Sequence, residues 1–149
     1  MNRATHLLFA GFIYLGLLQL NILKLSLIGI LILILSTLIP DIDSSTSTLG
    51  KKTKVFSILF KHRGFFHSLL FFCLIYLLLF FPMKTGYIEF SIGYLSHIFM
   101  DFFNYKGVYF FWPLGLKIKG FMKTNSLTEK LIRYFLLFTD GFLIFSLLF

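Results

Sequence analysis

The sequence alternates between long apolar stretches and short polar segments. Five stretches are long enough, or nearly long enough, to cross a bilayer as a helix, which needs about 20 mostly apolar residues. They are residues 7–23, 25–40, 66–82, 87–104 and 131–149. Only Lys24 separates the first two, and one continuous helix would be far longer than a bilayer is thick, so we interpret them as a helical hairpin. The pattern predicts an all-α fold: a polytopic membrane helical bundle of about five transmembrane helices, forming one domain over residues 1–149.

The first apolar stretch also has the character of a signal peptide, with Arg3 as its basic flank. No small-x-small cleavage site follows it, and the chain continues into Lys24. We therefore expect this stretch to be the first helix of the protein. The fourth stretch is the least apolar of the five because it contains Glu89, His97 and Asp101.

Composition favours the same class of protein. Hydrophobic residues make up 58% of the 149 residues and charged residues 13%, whereas soluble domains are about half apolar and about a quarter charged. A chain this short cannot bury so much apolar side chain within itself. This excludes an ordinary soluble domain, a disordered chain and a solvated coiled coil. The single cysteine, Cys73, excludes an internal disulfide.

The net charge of +8 indicates how the helices are oriented. If the helices cross in alternate directions, 12 of the 14 basic residues lie on the side of the N-terminus and of the loops 41–65 and 105–130. The other two are Lys24 and Lys84. Positive loops stay in the cytoplasm, so we expect a multi-pass protein of the inner or plasma membrane with a cytoplasmic N-terminus. No nucleic-acid-binding motif accompanies the charge, and nucleic acid is not an expected partner.

Histidine and aspartate gather on this same side. All four histidines and three of the four aspartates fall at helix ends there: His6, Asp41, Asp43, His62, His67, His97 and Asp101. An aspartate at membrane depth costs roughly 2.5–3.5 kcal/mol, so such a concentration suggests a use. Neutral imidazole nitrogens and carboxylate oxygens are ligands for zinc, manganese and iron. The pattern predicts a metal site at the cytoplasmic boundary.

Residue spacing supports a shared site, although each pair alone has an ordinary explanation. His97 and Asp101 are four residues apart and share one helix face, but such a pair is often only a buried hydrogen bond. Asp41 and Asp43 can reach one cavity, but an Asp-x-Asp after a helix is also a common solvated turn. His6 alone is consistent with an interfacial anchor. The prediction rests on their occurrence together.

The run of motifs resembles the YdjM family of predicted membrane-bound metal-dependent hydrolases. The resemblance is carried by His6, LIPDID at 38–43, HRGFFHS at 62–68, GYLSHIFMD at 93–101, and the Gly-Val and Trp-Pro pairs at 107–108 and 112–113. It implies a polytopic helical protein with metal ligands at His6, Asp41 or Asp43, His62 or His67, His97 and Asp101. It also implies a distant likeness to zinc-dependent phospholipases C and single-strand nucleases. Those enzymes hold their metals with His, Asp and a later Glu, and Glu129 resembles the late acidic position of the family, although Asn125 stands where the family usually has glycine.

We therefore expect a membrane-embedded hydrolase that cleaves a phosphoester of a lipid-like substrate at the cytoplasmic face. The expected ligands are His6, His67, His97, Asp101 and one of Asp41 and Asp43, with Glu129 added by the resemblance. Zinc is the expected ion, with manganese and iron as alternatives. His62 is a further ligand or a general acid, the other aspartate is a base or supports a ligand, and Arg63 stabilises phosphate charge. The expected partner is a membrane lipid or a lipid-like phosphorylated molecule.

Two other classes of function stay open. A small ion-coupled transporter also buries acids and histidines, but it usually sets its site near the membrane midplane, where this chain has only Asp140. A non-catalytic membrane protein could keep a metal to fix its helix ends. The loop 105–130 mixes aromatic and basic residues, which suits the headgroup layer either as a cover for the site or as an anchor.

Overall fold

The computed structural model describes residues 1–44, 62–80 and 85–149. These residues form five α-helices and no β-strand, which confirms the predicted all-helical fold. The helices are α1 (Arg3–Gln19), α2 (Leu27–Leu38), α3 (Leu69–Ile75, continued by π-helical turns over Tyr76–Phe80), α4 (Tyr87–Phe102) and α5 (Leu127–Leu148). Short 3₁₀ helices, Ile39–Asp43 and Phe65–His67, follow α2 and precede α3.

Short polar side chains mark where the helices begin. The side chain of Asn2 accepts a hydrogen bond from the backbone N–H of Ala4 at the start of α1. Serine side chains do the same for later helices: Ser26 caps α2, Ser68 caps α3 and Ser126 caps α5. These caps satisfy backbone N–H groups that have no partner within the helix.

Among the described residues, one helix is both long and apolar enough to cross a membrane. This helix is α5, which has 22 residues and little of its surface buried in the protein. The helices α1, α2 and α4 have 17, 12 and 16 residues. At about 1.5 Å per residue they are shorter than the ~30 Å hydrocarbon core. The five predicted spans are therefore not all confirmed, because turns and 3₁₀ helices take up the ends of the apolar stretches, as at Pro40.

Part of the basis for the predicted topology lies outside the described residues. This part comprises Lys51, Lys52, Lys54, Lys61 and Lys84, and Pro82 at the end of the third apolar stretch. The orientation inferred from these residues stays a prediction.

The helix α4 packs against both α1 and α2. Gly93 permits the close approach to α2, because a Cβ at this position would lie 2.0 Å from Ser36 Oγ and 2.6 Å from the carbonyl oxygen of Leu33. Buried residues spaced four apart on α1 pack with Leu33 of α2. They are Ala10, Tyr14 and Leu18. The three helices thus share one apolar contact beside the predicted site.

The helix ends that carry the predicted ligands meet at one end of the bundle, here called the polar end. Thr37, near the end of α2, contacts His97 of α4. The hydroxyl of Tyr94 in α4 donates to the carbonyl oxygen of Phe66, just before α3. The backbone N–H that precedes α1 donates to Glu129 at the start of α5. Contributions from all five helices therefore converge there.

Between α4 and α5, the chain forms a loop whose backbone closes on itself. Val108 and Ile118 exchange two backbone hydrogen bonds of 2.8 and 2.9 Å, and the N–H of Tyr105 donates to the carbonyl of Met122. Gly107 has a φ of +62°, and a Cβ there would lie 2.5 Å from the carbonyl oxygen of Ile118. The loop is a packed segment, although it contains no helix.

Candidate metal centre

His97 and Asp101 form the centre of the site, on the last turns of α4, and both are almost fully buried. Nδ1 of His97 lies 2.7 Å from the carbonyl oxygen of Thr37. Since a carbonyl oxygen can only accept a hydrogen bond, Nδ1 carries the proton, and the lone pair of neutral His97 is left on Nε2. The end of α2 therefore orients the His97 ring in the way typical of a metal-ligating histidine, whose second ring nitrogen donates to a carbonyl oxygen.

His6, in the first turn of α1, adds a second imidazole. Its ring stacks on the ring of His97, with centroids 3.9 Å apart and planes 8° apart. Its Nε2 lies 3.5 Å from Oδ1 of Asp101. The amino group of Met1 donates to the same oxygen at 2.8 Å. The start of α1 therefore places two nitrogen atoms close to one oxygen of Asp101.

His67 and Asp41 complete an arrangement of four donor atoms, here called the donor ring. Nε2 of His67 lies 3.7 Å from both Asp41 Oδ1 and Asp101 Oδ2. Nε2 of His97 lies 3.8 Å from Asp41 Oδ1 and 4.0 Å from Asp101 Oδ2. Ligand atoms of a tetrahedral zinc lie about 3.3–3.4 Å apart, since its bonds to nitrogen and oxygen are about 2.0–2.1 Å. A contraction of roughly half an ångström per pair would bring the ring to that spacing.

Several buried nitrogen atoms at this site make no hydrogen bond to any described residue. They are Nε2 of His6, His67 and His97, and Nδ1 of His6 and His67. Buried polar atoms in proteins are normally paired. The donors fall into two groups, His6–His97–Asp101 and Asp41–His67–His97, in each of which the ligand atoms lie within 4.8 Å of one another. Imidazole nitrogens and carboxylate oxygens in this number fit Zn²⁺, and also Mn²⁺ or Fe²⁺.

Asp41 and Asp43 lie two residues apart but have different surroundings. Oδ1 of Asp41 belongs to the donor ring. Asp43 points elsewhere: its Oδ1 lies 2.7 Å from His62 Nδ1, and its Oδ2 accepts the backbone N–H of Arg63 at 3.1 Å. Oδ2 also lies 3.9 Å from Nδ1 of His67. The side chain of His62 is 40% exposed. Asp43 therefore orients the outward-facing imidazole of His62 and lies beside that of His67 without a hydrogen bond to it.

Burial and charge act on Asp41 in opposite directions. Burial alone would raise the pKa of the carboxyl group, because it penalises the ionised form. The imidazoles of His97, His67 and His6 outweigh burial and hold the pKa of Asp41 below its ordinary value. Asp41 is therefore available as an anionic ligand at neutral pH. Its side chain is 26% exposed, so the site opens toward solvent at Asp41 and His62.

Arg63 brings a permanent cation to the site. Its Nη2 lies 3.1 and 3.0 Å from the two carboxylate oxygens of Asp101. Its Nε and Nη1 are buried and have no hydrogen-bond partner among the described residues. The backbone has a φ of +66°, a left-handed conformation that costs a non-glycine residue about 1–2 kcal/mol. Hydrogen bonds from its N–H to Asp43 and from the N–H of Tyr109 to its carbonyl hold it in place.

The structure does not bring Glu129 into the donor ring. Its buried carboxylate accepts the backbone N–H groups of Asn2 and Asn125 and the hydroxyl of Thr5. Asn125 has a φ of +62°, a region that asparagine and glycine both tolerate. Glu129 thus joins the starts of α1 and α5. Glu129 belongs to neither donor group, and its role as a ligand stays a prediction.

Two groups that shape the site were not predicted from the sequence. They are the carbonyl of Thr37 and the hydroxyl of Tyr94, which lies 2.9 and 3.1 Å from the carbonyl oxygens of Phe66 and Ser68. Tyr94 holds the HRGFFHS segment against α4. It precedes His97 by three residues and shares its helix face, so spacing was a usable signal. A backbone carbonyl has no residue-type signature, and the sequence offered no signal for Thr37.

Comparison with known proteins agrees with this motif pattern. The YdjM inner membrane protein family matches residues 1–147 of the chain. The chain belongs to the YdjM family. Family membership is therefore confirmed, and the family description supports a membrane location.

Relatives of this YdjM-family chain are known in several bacteria. YvsG, an uncharacterized protein of Bacillus subtilis (strain 168), is 34% identical over 103 residues, which cover 64% of this chain and 64% of YvsG. The inner membrane protein YdjM of Escherichia coli (strain K12) is 36% identical over 91 residues, which cover 54% of this chain and 46% of that protein. YdjM of Shigella flexneri matches to the same extent. The chain thus spans less than two thirds of the length of these relatives. No solved structure matches it.

Proposed function

We propose that this YdjM-family protein is a membrane-embedded metal-dependent hydrolase that cleaves a phosphoester of a lipid-like substrate. The donor ring carries the proposal: Nε2 of His67 and of His97 alternates with carboxylate oxygens of Asp41 and Asp101 at 3.7–4.0 Å. A purely structural metal site is closed on all sides. Here the exposed side chain of His62 and the half-buried Asp41 leave an approach for substrate.

Zinc is the ion we expect, with manganese and iron as alternatives. The residues that would hold it are His6, Asp41, His67, His97 and Asp101. A divalent ion supplies Lewis acidity and activates water near neutral pH. Thr37 supports a ligand, because its carbonyl oxygen fixes the ring orientation of His97.

Proton transfer is assigned to His62 with Asp43. Asp43 holds Nδ1 of His62 at 2.7 Å, which leaves Nε2 to exchange a proton with the leaving group at the opening of the site. Arg63 binds phosphate charge through Nε and Nη1, the two nitrogens that its contact with Asp101 leaves unused. A substrate with an anionic phosphoester and an apolar chain suits this cation in a membrane protein.

We also propose that the helices cross the membrane several times, with the polar end in the cytoplasm. Large apolar side chains are exposed on helices other than α5, such as Leu27 and Leu31 of α2 and Leu78 after α3, at 81%, 59% and 64%. Exposed apolar surface on this scale needs an apolar surrounding. A bilayer around all five helices supplies it.

Cysteine labelling tests this topology. Cys73→Ser removes the natural thiol, and Asn21→Cys or Lys117→Cys then places one thiol in the α1–α2 turn or at the polar end. In intact spheroplasts, a membrane-impermeant maleimide should label position 21 and should reach position 117 only after permeabilisation. Labelling of position 117 alone in intact spheroplasts contradicts the orientation, and labelling of both positions contradicts the multiple crossings.

Elemental analysis of the purified full-length protein tests the metal centre. After exposure to zinc, manganese or iron and removal of excess, the natural chain should retain metal and His97→Ala should not. Asp140→Asn is the matched control, because it alters a buried acid outside the donor ring. A natural chain that retains no metal, or His97→Ala that retains as much, would overturn the centre.

Turnover of phosphoesters tests the reaction itself. We suggest phosphatidic acid and phosphatidylglycerol in mixed micelles, with the metal that the protein retains. The natural chain should release product, and His62→Gln should lower kcat while leaving bound metal unchanged. Retained metal without turnover of either lipid favours the non-catalytic, metal-stabilised protein instead.

A further inference from the structure

The loop between α4 and α5, residues 105–126, exposes apolar and basic side chains together; it is called the interface loop below. Leu114, Leu116 and Phe121 are 74%, 61% and 79% exposed. The four lysines of the loop are also exposed: Lys106, Lys117, Lys119 and Lys123. The loop contains no aspartate or glutamate. The surface is therefore apolar and uniformly basic.

A folded backbone holds these side chains outward. The hydrogen bonds between Val108 and Ile118 close the loop. Gly120 lies so close to Phe103 that a Cβ at position 120 would come within 2.6 Å of the Phe103 backbone. The backbone of the loop is packed, yet its apolar side chains are exposed. These side chains need an apolar neighbour outside the described part of the chain.

The same backbone excludes the hydrocarbon core of a bilayer as that neighbour. The interface loop contains no helix, and an irregular backbone in hydrocarbon leaves N–H and C=O groups without partners. The lysines are equally costly at that depth. The headgroup layer satisfies both requirements, because it takes up apolar and aromatic side chains at its inner edge and offers phosphates to lysines.

We propose that the interface loop binds the headgroup layer of an anionic bilayer. A second copy of the chain is a poorer partner, since it carries the same lysines and a net charge of +8. Anionic phospholipids supply the opposite charge along with an apolar layer. This binding surface does not depend on the proposed hydrolase activity.

The interface loop is also joined to the site. The N–H of Tyr109 donates to the carbonyl of Arg63 at 3.0 Å, and the ring of Trp112 packs edge-on against Phe65 with centroids 5.1 Å apart. The loop and the HRGFFHS segment are therefore in direct contact through backbone and side chain. A loop bound to headgroups holds Arg63 at the depth of the lipid phosphates.

Trp112 is the single tryptophan of the chain and reports on the depth of the loop. We suggest full-length protein in nanodiscs of equal parts phosphatidylcholine and phosphatidylglycerol, with bromine placed either next to the glycerol or at the end of the acyl chain. Bromine near the glycerol should quench Trp112 strongly and bromine at the chain end should quench it little. Emission at long wavelength without quenching means that the loop lies in water and overturns the proposal. Emission at short wavelength without quenching indicates a protein neighbour, such as a second copy, and also overturns it.

Bromine placed on only one of the two lipids tests the preference for anionic headgroups. Brominated phosphatidylglycerol should quench Trp112 more than brominated phosphatidylcholine, since each lysine near the surface enriches anionic lipid by up to about fivefold. The combined variant Lys117→Gln, Lys119→Gln, Lys123→Gln should remove this difference while Trp112 keeps its depth. Equal quenching by the two lipids in the natural chain overturns the anionic preference.

A relocated tryptophan is the matched control. Trp112→Phe with Phe145→Trp moves the reporter to an exposed position on α5, far from the loop lysines in the chain. The two brominated lipids should quench this variant equally. Quenching that favours phosphatidylglycerol here as well assigns the preference to the whole protein and overturns its assignment to the loop.

Discussion

Asp101 and Asp140 are both aspartates on helices and both are buried, yet their surroundings differ. Asp101 is 1% exposed and is contacted by the amino group of Met1, the imidazole of His6 and the guanidinium of Arg63. Asp140 is 7% exposed, and its Oδ1 has no hydrogen-bond partner in the ranges 1–44, 62–80 and 85–149. Its Oδ2 lies beside Gly11 of α1, 3.5 Å from where a Cβ would stand.

The difference shows what separates a candidate site from an isolated buried acid. A carboxylate removed from water is costly unless cations or hydrogen bonds compensate for it. Around Asp101 the compensating groups come from segments far apart in the chain, and some of their nitrogens still lack partners. Asp140 shows no such convergence in the described structure. In a membrane protein, burial of an acid is therefore weaker evidence for a site than the convergence of polar groups from distant segments around that acid.

Replacement of Asp101 should change stability and bound metal more than any other substitution predicted below, and replacement of Asp140 should change them far less. Asp101→Ala leaves the Arg63 guanidinium buried without its carboxylate, so we expect the free energy of unfolding to fall by about 3–5 kcal/mol and bound metal to be lost. Asp140→Ala should cost far less and should retain metal. Thermal unfolding followed by circular dichroism, with elemental analysis of the same preparations, measures both. Equal losses in the two variants would contradict the assignment of Asp101 to the site.

Arg63→Lys sharpens the comparison, because it keeps a cation near Asp101 but removes the planar fork. We expect kcat for phosphoester turnover to fall about 10²-fold, as when one transition-state donor is removed. Bound metal should stay unchanged. Steady-state kinetics and metal content check these two outcomes. Unchanged kcat and KM would show that Arg63 serves only to neutralise Asp101.

Asp43→Asn and Asp41→Asn should separate two neighbouring acids in the same way. Asp43 holds the imidazole of His62, so its amide variant should lower turnover by about 10–100-fold. Asp41 contributes Oδ1 to the donor ring, and its amide variant should retain less metal than the Asp43 variant. Competition with a metal chelator ranks the two affinities. The reverse order would exchange the roles that the geometry assigns to them.

Glu129 provides a third buried acid, and its loss should affect function least. Its partners are backbone N–H groups and a hydroxyl, so Glu129→Gln should lower stability by about 1–3 kcal/mol without loss of metal. Thermal unfolding and elemental analysis again give the answer. If Glu129→Gln lost its metal, Glu129 would be a ligand, as the family resemblance implies.

Apolar stretches in the sequence predicted where helices occur, but not their bounds. The first stretch was predicted at residues 7–23, whereas α1 covers Arg3–Gln19. Apolarity marks residues that suit lipid, but a helix can also include polar residues. The helix α1 therefore begins before the apolar stretch and contains Thr5. The start of α1 is set by the Asn2 cap, and its end by the turn that follows Gln19.

The sequence also predicted which residues assemble at the site, but not how they divide their roles. Asp41 and Asp43 were interchangeable by spacing. They lie on a 3₁₀ helix, where three residues complete a turn, so two positions apart is about 240° and the side chains diverge. The left-handed φ of Arg63 and the carbonyl of Thr37 depend on contacts between distant segments, which one sequence does not reveal.

The close approach at Gly93 has a consequence for how relatives of this chain diverge. Positions 93 and 36 share a space that has no room for two side chains, and the Thr37 carbonyl that turns His97 is the next residue along α2. A Cβ at position 93 would also lie 2.6 Å from the backbone carbonyl oxygen of Leu33, so a smaller residue at position 36 would not make room for it. A relative with a larger residue in place of Gly93 should therefore have α2 and α4 further apart. A wider gap between these helices would move the Thr37 carbonyl away from Nδ1 of His97, so the absence of a side chain at position 93 helps to set the orientation of an imidazole one turn further along α4.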